Sequence, residues 1–283
     1  MVSALTASAR KITMTFARRA TRRLLSTLPP GNSANNFRAK LASRPCTMQF
    51  NIIPSPVVTQ MMASAGADVV CIDMEHGPID FKDAQAMIMA TQGTATLPAV
   101  RVPSIEPMSV KRALDSGAEG IVFPLARSAA DVARAVGTMR YPPEGERGFG
   151  PFIASSCHGF EMTEAVKHYA MNPPVCIVLI ETVEAVEQIA EIVRVGGVDA
   201  FQIAQYDLTT ALGISGQFDH PRFLEAEAAV EAAVLGAGKP LGAVALTEAR
   251  ARELRSRGYR LLVGFDVHWL KSAVAAKQSW AQS

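Results

Sequence analysis

From about residue 47 onward, short and continuously apolar runs alternate with stretches whose apolar positions recur at helical spacing. Eight runs read as strands: Met48–Ile53, Val69–Asp73, Leu97–Arg101, Gly120–Pro124, Val175–Glu181, Ala200–Ala204, Pro240–Ala245 and Leu261–Gly264. Between them, Pro107–Ser116, Ala129–Met139, Val183–Val193, Phe223–Leu235 and Thr247–Ser256 read as helices. Glycines at 66, 117, 196, 197 and 258 fall just ahead of strands, where a left-handed residue ends a helix and turns the chain. Strands without polar alternation are buried on both faces, which implies a parallel sheet covered by helices. Eight such units predict one α/β domain, a (β/α)8 TIM barrel, whose usual size is ~250 residues. A doubly wound open sheet is the alternative, but no Gly-rich phosphate turn follows the first strand.

Composition narrows this picture. The longest apolar runs, such as Val175–Ile180, are under a third of the ~20 residues that a membrane helix needs, so no membrane span is expected. Cys46, Cys71, Cys157 and Cys176 form no CxxC pair, which argues against a zinc knuckle or a disulfide scaffold. The net charge of +2 hides an asymmetry. Nine of the 28 Lys and Arg precede Asp68, the first acid, leaving 19 basic against all 26 acidic residues, a balance of −7. An acidic body argues against a nucleic-acid partner.

The basic excess begins with an arm excluded from fold reasoning. Residues 1–35 carry Arg10, Lys11, Arg18, Arg19, Arg22 and Arg23, many Ser and Thr, and no acid, with Leu5, Ile12 and Phe16 near one helical face. This is the composition of a mitochondrial transit peptide, and Arg23-Leu24-Leu25-Ser26 resembles a matrix-protease cleavage site. The expectation is a matrix protein with the barrel over residues 45–280. The alternatives are a disordered basic tail on a cytoplasmic protein, or an upstream extension with Met14 or Met48 as the true start.

In a barrel, chemistry sits at the strand C-terminal ends and the loops after them. The second strand runs into Asp73, Met74, Glu75, His76, Gly77 and Pro78. A carboxylate beside a histidine fixes its tautomer and raises its basicity, the preparation of a general base; the plainer reading is a polar turn. Arg101 ends the third strand, either as a fixed cation for a carboxylate or enolate oxygen or as half of a structural ion pair, with Asp115 a possible partner. Glu181 and Asp207 are 26 residues apart, one βα unit, so they fall on neighbouring strand ends ~4.8 Å apart. Two carboxylates with open positions suit Mg²⁺ or Mn²⁺, although each acid also fits a helix cap. The Gly/Pro-rich segment Arg140–Pro151 reads as a lid or a subunit contact. His158, His168, His220 and His268 show no metal-ligand spacing, and Met87 and Met89 read as helix core.

Five blocks carry a resemblance: IDMEHGP (Ile72–Pro78), AVRVP (Ala99–Pro103), RYPPEGERG (Arg140–Gly148), IET (Ile180–Thr182) and YDL (Tyr206–Leu208). In this order, from about residue 48 to 275, the chain resembles the HpcH/HpaI aldolase family. The resemblance implies a (β/α)8 barrel, a metal-dependent class II pyruvate aldolase, and a homo-oligomer, commonly a hexamer. It implies Glu181 and Asp207 as ligands of a divalent metal (Mg²⁺, Mn²⁺ or Co²⁺), and His76 as base with Asp73 behind it. Arg101 would then stabilise the enolate oxygen, and Asp115 would support the site. The segment with Gln205 and Tyr206 would hold the substrate carboxylate. The chain departs from the family pattern at Leu179, where a glutamine is common, at Ala204 and Gln205, where Gly-Pro is common, and at Arg127.

The expected reaction is reversible cleavage of a 4-hydroxy-2-oxo acid to pyruvate and an aldehyde. An acyl-CoA lyase of the citrate lyase beta type is one rival. A catalytically weakened barrel kept as a binding or assembly subunit is the other.

Overall fold

The computed structural model describes residues 33–159 and 162–280. The proposed transit peptide therefore lies, but for its last three residues, outside the described residues. Eight parallel strands close into a barrel in sequence order: β1 (Cys46–Asn51), β2 (Val69–Asp73), β3 (Leu97–Arg101), β4 (Gly120–Phe123), β5 (Val175–Ile180), β6 (Ala200–Ile203), β7 (Leu241–Val244) and β8 (Leu261–Phe265), with β8 pairing back to β1. The TIM barrel expected from the apolar runs is the fold observed, and the open sheet is set aside. No described helix is long and apolar enough to cross a membrane.

The helices that follow the strands are α2 (Pro56–Ser64), α3 (Phe81–Met89), α4 (Pro107–Asp115), α5 (Ala129–Met139), α7 and α8 (Val183–Glu187 and Ile189–Ile192), α9 and α10 (Gln205–Ala211 and Pro221–Gly236), α11 (Glu248–Ser256) and α12 (Asp266–Trp280). Between α5 and β5 the chain adds α6 (Met162–Met171). Several helices begin on a side chain that accepts from a first-turn amide, as Asp80, Ser128, Thr182 and Thr247 do, so each βα loop enters its helix at a fixed angle. Met87 is core as expected, whereas Met89 is exposed on the outer side of α3.

Strand alternation sorts the core into two layers. Ile72, Val100, Ile121, Val178, Ile180, Phe201 and Ile203 face outward onto the helices. Met48, Phe50, Val69, Cys71, Leu97, Ala99, Val122, Ile177, Leu179, Ala200 and Val263 fill the lumen. Carried to the strand ends, the inward phase points Asp73, Arg101 and Glu181 toward the barrel mouth. That phase is why polar residues stand at the top of otherwise apolar strands.

Among the described residues one helix precedes the barrel, where the sequence reading began the domain only at residue 45. This helix, α1 (Ser33–Ser43), packs Ala34, Phe37 and Leu41 into the lumen cluster and plugs the end where the strands begin. Its cations, counted above with the basic arm, are paired with body acids. Arg38 Nε reaches Asp199 at 2.6 Å, while Lys40 and Arg44 reach Asp68 at 3.2 and 2.7 Å. Burial alone would raise Asp68, but hydrogen bonds from Arg44, the Thr47 amide and Lys40 outweigh it and hold the carboxyl below the usual range.

Candidate active site

The mouth is organised around Arg101. This residue is 6% exposed, and its Nε and Nη2 donate to Asp73 Oδ1 and Oδ2 at 2.9 and 2.6 Å. The guanidinium lies over the Phe50 ring at 4.7 Å, and Phe50 is stacked on Phe265 at 5.3 Å between centroids. Two inward aromatics and a buried carboxylate therefore hold the cation in one plane. Nη1 sits 3.1 Å from Glu75 Oε2 without hydrogen-bond geometry, so that oxygen is an ion-pair neighbour but accepts no hydrogen bond from the described residues.

Asp73 was expected behind the imidazole of His76. The structure gives its carboxylate to Arg101 instead, and Oδ1 also accepts the main-chain amides of Glu75 and His76 at 3.1 and 3.3 Å. The register explains this, because Asp73 and Arg101 are direct partners on neighbouring strands and point the same way. Asp73 thus fixes the loop that carries His76 rather than its ring. His76 itself is exposed at the mouth. Gly77 is demanded here by space: a Cβ at this position would meet the Asp73 carbonyl oxygen at 2.4 Å and that of Ile52 at 3.2 Å.

On the far side of the mouth, Glu181 is 3% exposed and accepts the main-chain N–H of Leu125. Leu125 holds a left-handed φ of 56°, a conformation that costs a non-glycine residue about 1–3 kcal/mol. Burial pushes Glu181 up to about 7; the Leu125 N–H and Arg101 oppose this, and the Asp207 and Glu75 carboxylates add to it. Burial also lifts Glu75 above the usual carboxylate range, with Asp73 and Asp207 adding to it against the pull of Arg101 and His76. Glu75, Glu181 and Asp207 follow the C-terminal ends of β2, β5 and β6, which places them at one mouth. Asp207 is exposed in the first turn of α9, beside the half-buried Gln205 and the exposed Tyr206, whose ring meets Phe218 edge-on at 5.3 Å. Among the described residues no group of three or more His, Cys, Asp or Glu forms a metal site. A cation here would rest on Glu181 and Asp207 and take its other oxygens from water or substrate. An almost fully buried carboxylate with carboxylate neighbours fits that role, because a divalent cation would neutralise its charge.

Asp115 is not part of this group. It ends α4, which runs back from the mouth for about 13 Å, and its carboxylate takes Arg147 Nη2 at 2.7 Å. It is therefore not the partner of Arg101. Arg147 lies between the rings of Tyr141 and Tyr169, at 4.7 and 4.5 Å. The Arg140–Pro151 segment leaves the C-terminal end of α5 on the way to α6 and packs against the ends of α4 and α5, so it does not cover this chain's own mouth; that corrects the lid reading. Arg127 is exposed in the loop after β4.

Sequence reasoning missed Phe50, Leu125 and Asp266. Asp266 accepts from Asn51 Nδ2 and the amides of Ile52 and Ile53 at 2.8, 3.2 and 2.9 Å, which fixes the loop after β1. An acid directly after the last strand was a readable signal, whereas a left-handed leucine leaves none.

Residues 47–273 match the family described as HpcH/HpaI aldolase/citrate lyase. A hydroxypyruvate/pyruvate aldolase of Roseovarius nubinhibens is 33% identical over 88% of this chain and 96% of that protein. A 5-keto-4-deoxy-D-glucarate aldolase of Salmonella paratyphi A is 34% identical over 82% of this chain and 91% of its own. Among solved structures, an HpcH/HpaI aldolase/citrate lyase family protein from Burkholderia cenocepacia superposes with a TM-score of 0.84 at 32% identity, over 88% of this chain and all of that one. The chain belongs to the HpcH/HpaI aldolase/citrate lyase family, and its chemistry is that of an aldolase, a carbon–carbon lyase acting on small molecules.

Proposed function

We propose that the protein reversibly cleaves a 4-hydroxy-2-oxo acid to an aldehyde and pyruvate or hydroxypyruvate, with a divalent metal on Glu181 and Asp207. The observation that carries the reading is the mouth itself, where a guanidinium locked by Asp73 and Phe50 at the end of β3 shares the inward phase with the buried Glu181 after β5. Bound there, the metal would act as a Lewis acid that polarises the 2-oxo group. Arg101 adds a fixed positive charge that requires no reorganisation as the enolate oxygen develops. The first-turn amides of α9, at Gln205, Tyr206 and Asp207, have no helical partners and are available to the substrate carboxylate. His76 takes the proton from the C4 hydroxyl during cleavage and returns it during addition.

The test is release of the oxo acid from a panel of 4-hydroxy-2-oxo acids, with and without Mn²⁺. Metal-dependent turnover that falls by roughly 10²–10⁴ in His76→Ala supports the reading. Unchanged turnover after chelation overturns the metal role. A homo-oligomer, hexameric by family resemblance, fits the exposed Val267, Leu270 and Val274 along one side of α12, and the mass in solution tests it. A matrix location rests on the composition of residues 1–35. A reporter fused to them should enter mitochondria, and should stay out when Arg18, Arg19, Arg22 and Arg23 become Glu.

A further inference from the structure

The inward positions of the eight strands hold one neutral amide. Apart from the charged Asp73 and Arg101, the lumen-facing strand residues are Cys, Met, Phe, Val, Leu, Ile, Ala and Gly, with Gln202 the exception. Gln202 lies between Ala200 and Ala204, both members of the lumen cluster, and is 2% exposed. It pairs in register with Leu179 on β5 and Gly242 on β7, two residues before Glu181 on one side and a position without a side chain on the other. Its carboxamide therefore occupies the row directly beneath the carboxylates of the mouth. Its Oε1 is buried and has no hydrogen-bond partner among the described residues.

A buried acceptor without a donor is destabilising, and native proteins retain one where something else satisfies it. The missing group must carry an O–H or N–H. The carboxylate and oxo oxygens of pyruvate, like those of its enolate, can only accept. A hydroxyl both donates and accepts, so it satisfies either end of a carboxamide.

Building on the aldolase reading above, we propose that Gln202 is a specificity-determining residue that hydrogen-bonds the hydroxyl of a 3-hydroxy-2-oxo acid. The preferred three-carbon donor is then hydroxypyruvate rather than pyruvate. Neither Arg101 nor the Glu181–Asp207 pair distinguishes these two acids, because both groups face oxygens that the two have in common.

The experiment compares the full chain with Gln202→Met and Gln202→Leu, each with Mn²⁺ and glycolaldehyde as acceptor. Met keeps the length and approximate volume of the side chain. The wild type should favour hydroxypyruvate in kcat/KM, and Gln202→Met should lower that value by about tenfold to a hundredfold, leaving pyruvate within about threefold. The melting temperature of Gln202→Met should hold or rise, because the orphaned acceptor is gone; a merely structural glutamine would instead lower it and slow both donors alike. A wild type without donor preference, or a preference that survives in both variants, overturns the proposal. Binding of the two acids to the Mn²⁺-loaded protein, measured by calorimetry, separates the two ideas. If neither acid exchanges its C3 protons with solvent, the aldolase reading fails. The binding preference and its loss in Gln202→Met still decide the role of Gln202.

Discussion

Asp73 and Arg101 are direct register partners on neighbouring strands and share a two-point ion pair of 2.9 and 2.6 Å at the mouth of the barrel. Such a fork fixes the plane of the guanidinium as well as its position, which a lysine cannot reproduce. Arg101→Lys is expected to lower kcat by about 10²–10³, the usual loss when one preorganised donor is removed. Asp73→Asn should lower kcat less. Because it removes the hydrogen-bonded charge partner of a buried guanidinium and leaves only the Glu75 carboxylate beside it, it should also cost stability, up to about 3–5 kcal/mol. Steady-state kinetics with denaturant unfolding checks both. A stable Asp73→Asn protein with full activity would show that Phe50 and Glu75 suffice to hold Arg101.

Gly77 offers a test that leaves every polar group in place. An added methyl would meet the Asp73 carbonyl oxygen at 2.4 Å, and a backbone atom cannot move aside as the tip of a side chain can. Gly77→Ala should displace the loop of Glu75 and His76 and reduce turnover at least tenfold. Arg101 and Asp73 should remain paired. Normal turnover in this variant would mean that the loop has room to relax.

Much of this was legible in the chain. The apolar runs and helix-ending glycines specify the barrel because each is a local signal of a parallel βα unit, and inward phasing carries Asp73, Arg101 and Glu181 to the mouth. What was not legible depends on contacts between distant segments. The pairing of Asp115 with Arg147 rather than Arg101 follows from the direction in which α4 runs, and the donor to Glu181 is a backbone N–H set by the φ of Leu125. The helix α1 was hidden because its Arg and Lys continued the charge pattern of the arm, although they are matched to Asp68 and Asp199. The apolar positions Ala34, Phe37 and Leu41 were the available sign.

Glu181 makes metal binding and stability depend on pH in a defined direction. Its ordinary value is 4.5, and burial brings it to about 7 in the metal-free fold. Between those values the folded chain keeps a proton that the unfolded chain releases, so this group favours the fold at low pH and that contribution is lost as pH rises through about 7. The metal-free protein should therefore melt lower at pH 8 than at pH 5.5. Mn²⁺ needs the ionised carboxylate, so its affinity should weaken below about pH 7, with uptake releasing a proton. Calorimetry in buffers of different ionisation heat reads that proton directly. Glu181→Gln should abolish both the pH dependence and the proton release. An unaltered pH profile in that variant would move the titration to another group.

The last prediction concerns the closed end of the barrel. Phe37 is 1% exposed and stands in the lumen cluster, so Phe37→Ala should cost about 3–5 kcal/mol through lost burial and the cavity left behind. The ion pairs at Asp68 make a separable contribution. Because Arg44, the Thr47 amide and Lys40 hold Asp68 below the ordinary value of 3.8, that contribution is present above about pH 4 and is lost as pH falls through the depressed value. Asp68→Asn should therefore lower the melting temperature at pH 7 and lose that difference as pH falls through the depressed value, whereas the deficit of Phe37→Ala should persist throughout. Thermal melts of the two variants across this range distinguish burial from charge. If Phe37→Ala melts like the wild type at every pH, α1 is only laid against the barrel and does not plug it.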